Sequence, residues 1–354
     1  MRIRLLFLLI LALAFPALAL ADDLPGPYVY KSSVRLNTQH YLVYWPTPTA
    51  KEPQYLTGSW VPKLNFNVQG PLEGGSQITV KFTKPGGAKW ISRDLRTDET
   101  AADSFQSFTL DGIEMEKQAT TMTGVFTLNI VLTNALSGVN KSLYTGKFEV
   151  GKFHYGSAPN EVRQADYFVN HDWTLPIGQM SFDDNPANAE APQLIVKMWF
   201  RVALDTDTLA GYLYYNGKQI SSTKSAGNVS SPIVVQPGTT KPELTWSRCT
   251  FYFSSVSKGR NGDSASSYDS MFFLDKHPGD YEVKVLRGGK LARSAKFTIG
   301  PDGVLVDNGL ASQNKMGLGV TLIPVTTDLS QDGKASIANY KSLAFYGNPV
   351  IGFP

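Results

Sequence analysis

The sequence has little cysteine and little histidine. One of its 354 residues is cysteine, so no intramolecular disulfide can form, and four are histidine. A secreted animal protein of this size more often carries disulfide bridges. The scarcity of cysteine therefore favours a bacterial periplasm or cell exterior, with stability that comes from ordinary apolar cores.

The short motifs of common enzyme classes are also missing. There is no Gly-x-Ser-x-Gly elbow, no His-Glu-x-x-His, no phosphate-binding Gly-rich loop and no Cys-x-x-Cys pair. None of the histidines has a second one at metal-ligand spacing on the same element: His40, His154, His171 and His277. We therefore expect a non-catalytic protein with no catalytic residues and no cofactor.

Metal binding finds equally little support. Asp183 and Asp184 offer adjacent carboxylates of the kind that calcium prefers, but no spaced set of oxygen ligands accompanies them. We therefore predict no metal site and keep these two aspartates as the only weak candidates.

Excess charge of either sign is missing as well. The chain has 33 basic and 30 acidic residues, and loss of Arg2 and Arg4 with a leader peptide would leave 31 basic residues. There is no block of lysines and arginines like those that bind nucleic acid or anionic membranes. We expect no nucleic-acid partner.

Residues 1–21 are predicted to be a signal peptide. Two arginines precede an apolar run, Leu5 to Leu13, and Ala19-Leu20-Ala21 provides a small-x-small cleavage site. The apolar run is too short to span a bilayer comfortably. The next residue is not cysteine, so no lipid anchor is expected, nor is a membrane segment after cleavage. We therefore expect a periplasmic or secreted protein.

Alternating apolar residues dominate the rest of the chain. One example is Leu64, Phe66 and Val68; another is Phe126, Leu128 and Ile130. Period-2 spacing is typical of strands with one buried face. Abundant glycine, proline and aromatic residues, without long helical stretches, predict an all-β protein.

The strand pattern occurs twice. Residues 124–130 (GVFTLNI) match residues 279–285 (GDYEVKV) position by position, and both lead through a glycine-containing hairpin to a Phe-x-Val or Phe-x-Ile strand at 148–150 and 297–299. This duplication predicts two related sandwiches. The second has extra polar residues at 221–232 and 254–267, which we interpret as long loops.

The segment 278–285 (PGDYEVKV) resembles the start of strand F in immunoglobulin-like domains. The resemblance implies that Tyr281 bonds back to the backbone as a corner tyrosine. It implies two tandem immunoglobulin-like antiparallel β-sandwich domains with N- and C-terminal extensions, and it carries no catalytic residue. The predicted regions are signal peptide 1–21, extension 22–55, first sandwich 56–154, linker 155–190, second sandwich 191–300, and C-terminal tail 301–354 with a short helix.

The linker holds the most site-like cluster, His171-Asp172-Trp173. It is either a ligand site at the domain junction, with Trp173 as a stacking platform, or a point where Trp173 packs the linker onto a domain and leaves His171 and Asp172 at the surface. On one predicted strand Cys249 shares a face with Phe251 and is expected to be an inert buried thiol.

Two more tryptophans are candidate ligand contacts. Trp199 lies on the outer face of its predicted strand beside Arg201, where it stacks on a sugar, forms a protein hot spot, or is covered by another element. Trp45 lies in the aromatic-rich N-terminal extension.

Three functions follow from these observations. The leading hypothesis is an exported, non-catalytic protein that binds a protein or glycan of the cell envelope through the loops at 221–232 and 254–267. The second is a carbohydrate-binding module with Trp45, Trp173 or Trp199 as platforms. The third is a hydrolase or lyase whose junction site contains His154, His171 and Asp172.

Overall fold

The alternating segments form β-strands in the computed structural model, which confirms the all-β class. The structure describes residues 27–45, 54–95, 105–155, 164–183, 190–201, 208–224, 229–235, 244–260, 269–316, 321–339, 345–346 and 350–353. The predicted signal peptide lies outside these residues.

The strands are numbered in chain order. Those of the first half are β1 Tyr28–Trp45, β2 Gln54–Gln69, β3 Ser76–Thr83, β4 Lys89–Leu95, β5 Gln106–Leu110, β6 Gly124–Asn134, β7 Val139–Tyr155 and β8 Gln164–Val169. Those of the second half are β9 Ile177–Phe182, β10 Gln193–Arg201, β11 Leu209–Tyr215, β12 Lys218–Ser222, β13 Val229–Val235, β14 Trp246–Ser257, β15 Phe272–Phe273, β16 Gly279–Arg287, β17 Lys290–Ile299 and β18 Thr321–Thr327.

Helical segments are short. Within the described residues they include the α-helix α1 at Leu310–Gln313, the 3-10 turns at Ile113–Gln118, Asp172–Thr174, Leu274–Lys276 and Leu329–Asp332, and a helical turn at 337–339. Among the residues that the structure describes, no helix has the length and apolar character needed to cross a bilayer.

The first core lies between two sheets, β1-β2-β5 and β4-β3-β6-β7-β8. Leu64 and Phe66 from the smaller sheet share one buried cluster with Val80, Phe126 and Phe148 from the larger one. The alternating residues therefore meet face to face, as in a sandwich.

The second core lies within a larger sheet that folds back on itself. Its order is β12-β11-β16-β17-β18-β9-β10-β14-β13, with β15 beside β14. Strand β18 pairs with β9 through Thr321–Pro324 and with β17 through Val325–Thr327. The two halves face each other because Met198 on β10 and Val283 on β16 belong to one buried cluster.

The duplicated hairpins have matching registers. Gly124 lies opposite Val150 and Phe126 opposite Phe148; in the second half Gly279 lies opposite Ile299 and Tyr281 opposite Phe297. The aromatic pairs are stacked in both cases, with ring centroids 5.6 Å and 5.4 Å apart. The position-by-position match in sequence is thus a match in register.

Two predictions about single residues of the second sandwich are confirmed. The Tyr281 hydroxyl donates to the carbonyl oxygen of His277 over 2.6 Å, which is the backbone hydrogen bond expected of a corner tyrosine. Cys249 is fully buried in the core beside Phe251.

The extra polar segments of the second sandwich are only partly loops. Ser221 and Ser222 end β12, residues 229–235 form β13, and β14 extends to Ser257. The interpretation of 221–232 and 254–267 as loops throughout was therefore wrong. Ser221 is buried in β12, where its hydroxyl hydrogen-bonds with that of Ser255, and both β12 and β13 are edge strands.

The predicted linker and tail both contribute to the sheets. Strand β8 pairs with β7 of the first sandwich, and β9 pairs with β10 of the second. From the predicted tail, β18 completes the second sandwich, while Phe345 and Tyr346 enter the first core. The short helix expected in the tail rests on the helical spacing of Ile337, Tyr340 and Leu343. Residues 337–339 are helical and Ile337 is 54% exposed, whereas Tyr340 and Leu343 lie outside the described residues.

The corner hydrogen bond predicts the stability of a matched pair of variants. Tyr281→Phe should lower the free energy of unfolding by about 1–2 kcal/mol, because it removes a part-buried hydrogen bond to the His277 carbonyl. Tyr215→Phe removes an exposed 3.2 Å bond to the Pro278 carbonyl and should cost less than about 0.5 kcal/mol. Urea denaturation measures both; equal losses would contradict the assignment.

Candidate functional site

A tight turn between β8 and β9 places the predicted cluster His171-Asp172-Trp173 in the interior. The Asn170 side-chain oxygen accepts the Asp172 amide proton over 2.9 Å, and the His171 carbonyl accepts from both the amide and the hydroxyl of Thr174. These local bonds replace the strand ladder and turn the chain. They direct the Asp172 side chain inward rather than to the surface.

Asp172 is fully buried and fully hydrogen-bonded. Nη1 of Arg201, at the end of β10, lies 2.9 Å from both carboxylate oxygens. The indole of Trp246, at the start of β14, donates over 3.0 Å, and the amide of Asn339 donates over 2.8 Å. A buried carboxylate needs such compensation for its lost hydration. Asp172 thereby ties three distant segments together.

A second buried ion pair lies next to the first. Arg293 on β17 donates to Asp332 over 2.7 Å, and neither side chain has exposed surface. The same Asp332 oxygen accepts the backbone N–H of Arg201 over 2.9 Å. The two carboxylates therefore hold Arg201 by its side chain and by its backbone.

The rings around His171 leave almost no free space. The His171 ring meets Trp246 and Tyr346 edge to face, at centroid distances of 5.5 Å and 5.8 Å. Burial, and secondarily the positive charge of Arg35, lowers the pKa of His171 to about 3. Its Nε2 has no hydrogen-bond partner, and neither does the indole nitrogen of Trp173.

The cavity beside these rings has a volume of about 20 Å³. That volume is close to what a single water molecule needs. Trp173 and Trp199 line the cavity together with Arg35 and Tyr346. The domain junction is therefore a filled interface, and the structure places His171 and Asp172 inside it.

The other predicted site residues are dispersed. Trp199 is half-buried against the small cluster of Leu175 and Trp246. His154, needed for the hydrolase hypothesis, is exposed on β7. The structure gives only the backbone of Trp45, at the end of β1.

The weak metal candidates are only partly described. The amide of Asp183 donates to the carbonyl oxygen of Gln193, and Asp184 lies outside the described residues. Across the part of the chain that the structure describes, no three His, Cys, Asp or Glu residues cluster in a way that could hold a metal ion.

The partners of Asp172 were not predicted from the sequence. In the neighbouring ion pair, Arg293 could have been recognised, because it is in phase with Ala295 and Phe297 on β17 and a charge therefore occupies a core position of the strand. Asp332 and Asn339 carried no comparable signal, because they lie outside the strands and far away in sequence.

A second polar cluster brings Thr38, His40 and Asp166 together. The Thr38 hydroxyl lies 2.7 Å from His40 Nε2, and His40 Nδ1 pairs with Asp166. This order resembles the nucleophile, base and acid of hydrolases. The carbonyl oxygen of Tyr167, on edge strand β8, also lies 2.9 Å from the Thr38 hydroxyl and from Nε2.

The Tyr167 carbonyl explains this cluster structurally. The Thr38 hydroxyl donates a hydrogen bond to this carbonyl over 2.9 Å, so it is engaged with the backbone. The cluster then satisfies a backbone group of an edge strand and holds β1 against β8.

An open groove lies on the outer face of the second sandwich. It measures about 460 Å³ and is formed by β11, β16 and β17 where they meet the Asn216-Gly217 hairpin turn. This size is within the usual range of ligand sites. Its lining side chains include Tyr214, Asn216, Asp280, Glu282, Lys296 and Thr298.

The sheet register builds the groove from two neighbouring rows of side chains. Tyr214, Glu282 and Lys296 lie opposite one another in the first row. Asp280 and Thr298 form the second row, and the threonine hydroxyl donates to the Asp280 carboxylate over 2.7 Å. These side chains point outward because Tyr281 and Phe297, which alternate with them, fill the core below.

No protein-family model matches the chain, and no curated protein matches it.

The buried ion pair of Asp172 predicts a large stability effect. Asp172→Asn should lower the free energy of unfolding by about 3 kcal/mol, because it removes the negative charge that lies 2.9 Å from the buried Arg201 guanidinium. The control Asp269→Asn breaks the surface pair with Arg260, in which Asp269 is 65% exposed, and should cost less than about 1 kcal/mol. Urea denaturation near neutral pH compares them; similar losses would refute the anchoring role of Asp172.

Burial of neutral His171 predicts a pH-dependent stability. Its pKa is about 3 in the folded state and about 6.5 when unfolded, so the unfolded state takes up the proton first as the pH falls. Stability should therefore fall below about pH 6.5, by about 2 kcal/mol near pH 5. His171→Gln should lose less than the wild type over the same interval. Equal pH dependence of the two proteins would contradict the burial of a neutral histidine.

Proposed function

We propose that this chain is an exported, non-catalytic binding protein of the cell envelope. Its macromolecular partner is recognised at one end of the second sandwich, where the outer groove lies. The predicted signal peptide and the absence of enzyme motifs from the sequence support export and a binding role.

The groove is the observation that carries this proposal. At about 460 Å³ it is more than twenty times larger than the junction cavity, and exposed side chains such as Asp280 and Lys296 surround it. Its lining combines the aromatic residues Tyr214, Tyr281 and Phe297 with charged and amide groups, the mixture that fixes a ligand's orientation.

The loops at this end of the sandwich add further contact groups. Phe272 stacks on His277 with ring centroids 4.1 Å apart, and the guanidinium of Arg260 lies 5.5 Å from the ring centre of Phe273. All four are partly exposed; Arg260 lies within the predicted recognition segment at 254–267, and the other three follow it. Recognition groups often lie on loops that a rigid sandwich positions.

The buried junction supports a binding role for the second sandwich by keeping that scaffold rigid. Arg201 ends β10 and Arg293 lies on β17, and both are held by buried carboxylates. A preorganised scaffold lowers the ordering cost of binding.

A charge exchange tests the proposal. The double variant Glu282→Lys with Lys296→Glu keeps the net charge but exchanges the positions of the positive and negative side chains in the first row of the groove. It should reduce co-sedimentation of the purified mature protein with insoluble cell-envelope material by about fivefold, since about 1 kcal/mol of lost binding gives that factor.

The matched control exchanges two exposed charges of the first sandwich, Glu73→Lys with Lys89→Glu. It should sediment like the wild type. If the wild type does not co-sediment, or if both double variants behave alike, the proposed function is wrong.

A further inference from the structure

We infer that the ligand of the outer groove is a neutral glycan chain. This inference rests on the proposed function and assigns the chemical class of its partner. It follows from three features of the groove: an aromatic ring, hydrogen-bonding groups held in place, and the balance of charge.

Tyr214 provides an apolar platform. Its ring is half-buried, and the ammonium of Lys284 lies 4.9 Å from the ring centre. Lys284 belongs to the row on the far side of Tyr214 from Asp280 and Thr298, since it lies opposite Tyr212. It therefore covers the ring face that is turned away from the groove. The other face is presented to the groove, where the C–H face of a sugar ring can stack on it.

Hydrogen-bonding groups surround this platform in fixed positions. The Thr298 hydroxyl holds one oxygen of Asp280, and the Lys284 ammonium lies 3.2 Å from one oxygen of Glu282. Each carboxylate has a second oxygen that can accept a hydrogen bond from a sugar hydroxyl. Asn216, in a left-handed conformation with φ 48°, and Lys296 add donors at the rim.

The groove offers no excess of positive charge to an anionic ligand. Two carboxylates, Asp280 and Glu282, line it together with Lys296, and Lys284 pairs with Glu282 from the neighbouring row. A phosphate or a uronate would therefore meet the Asp280 carboxylate without a surplus of cations to bind it. A protein partner would be expected to find a desolvated apolar anchor pocket, whereas the largest rings here, Tyr281 and Phe297, are buried below the surface. A polyhydroxyl ligand without charge fits this lining best.

The groove's open sides favour a chain over a single sugar. Asn216, Asp280, Lys296 and Thr298 are all exposed, so no wall closes around a bound ring. Pockets for small ligands enclose most of the ligand surface. An open groove instead accepts a segment of a longer polymer.

Titration calorimetry with defined oligosaccharides tests this inference. The probes are cellohexaose, mannohexaose, xylohexaose and isomaltohexaose, with oligogalacturonate as the acidic comparison. The mature wild-type protein should bind at least one neutral probe and should not prefer the acidic one. Tyr214→Ala should weaken that binding by about tenfold, and Tyr214→Phe, which keeps the ring, by no more than about twofold.

The matched control is Tyr212→Ala. Tyr212 lies one row away on β11, beneath the Lys224 ammonium and outside the groove lining, so its loss should leave binding unchanged. Thermal unfolding of each variant verifies folding, and Asp280→Asn provides a second groove variant, expected to bind about fivefold more weakly.

Three results would overturn the inference: no neutral probe binds, Tyr214→Ala binds like the wild type, or oligogalacturonate binds best. If the groove charge exchange abolishes envelope binding while no oligosaccharide binds, the glycan assignment fails and the proposed binding function stands. If envelope binding is also indifferent to the groove, both fail.

Discussion

The architecture depends on the contact between the Asp172 carboxylate and the Arg201 guanidinium. This buried pair joins the turn between β8 and β9 to the end of β10, and Trp246 and Asn339 extend it to β14 and to the C-terminal region. These donors compensate the Asp172 carboxylate for its lost hydration. The pair therefore requires segments that are distant in sequence to meet at one point.

The buried junction and the open groove are formed by different residues of the chain. The residues that look most like a site in the sequence, His171, Asp172 and Trp173, are used to fill the junction, which leaves a cavity of only about 20 Å³. The surface with room for a ligand lies on the outer face of β11, β16 and β17. Polar residues there are exposed and held by neighbours in the sheet rather than by the junction.

Local sequence patterns predicted much of the fold. Period-2 alternation predicted the strands, and the match between residues 124–130 and 279–285 predicted the equivalent register of two hairpins. The Tyr281 hydrogen bond was implied by the resemblance to strand F of immunoglobulin-like domains. These features depend on neighbours close in sequence. Strand β13, an edge strand, was missed because its sequence, VSSPIVV, lacks period-2 alternation and contains a proline.

The candidate site was harder to predict. Tyr214, Glu282 and Lys296 belong to three strands, and only the sheet register brings them into one row. Their sequence context is that of ordinary solvent-exposed strand positions. The carboxylates that pair with Arg201 and Arg293 likewise come from distant segments of the chain. Only the core position of Arg293 in its strand pattern indicated a buried ion pair.

We propose that the outer groove binds the ligand and that the junction only stabilises the fold. Two-dimensional NMR of the deuterated mature protein, titrated with the tightest-binding neutral hexasaccharide, tests this division of roles most directly. The account predicts chemical-shift changes at the amides of Asn216, Asp280 and Thr298 and none at the indole N–H of Trp246 or the amide of Asp172. Changes confined to Trp246 and Asp172, with the groove residues unmoved, would contradict it.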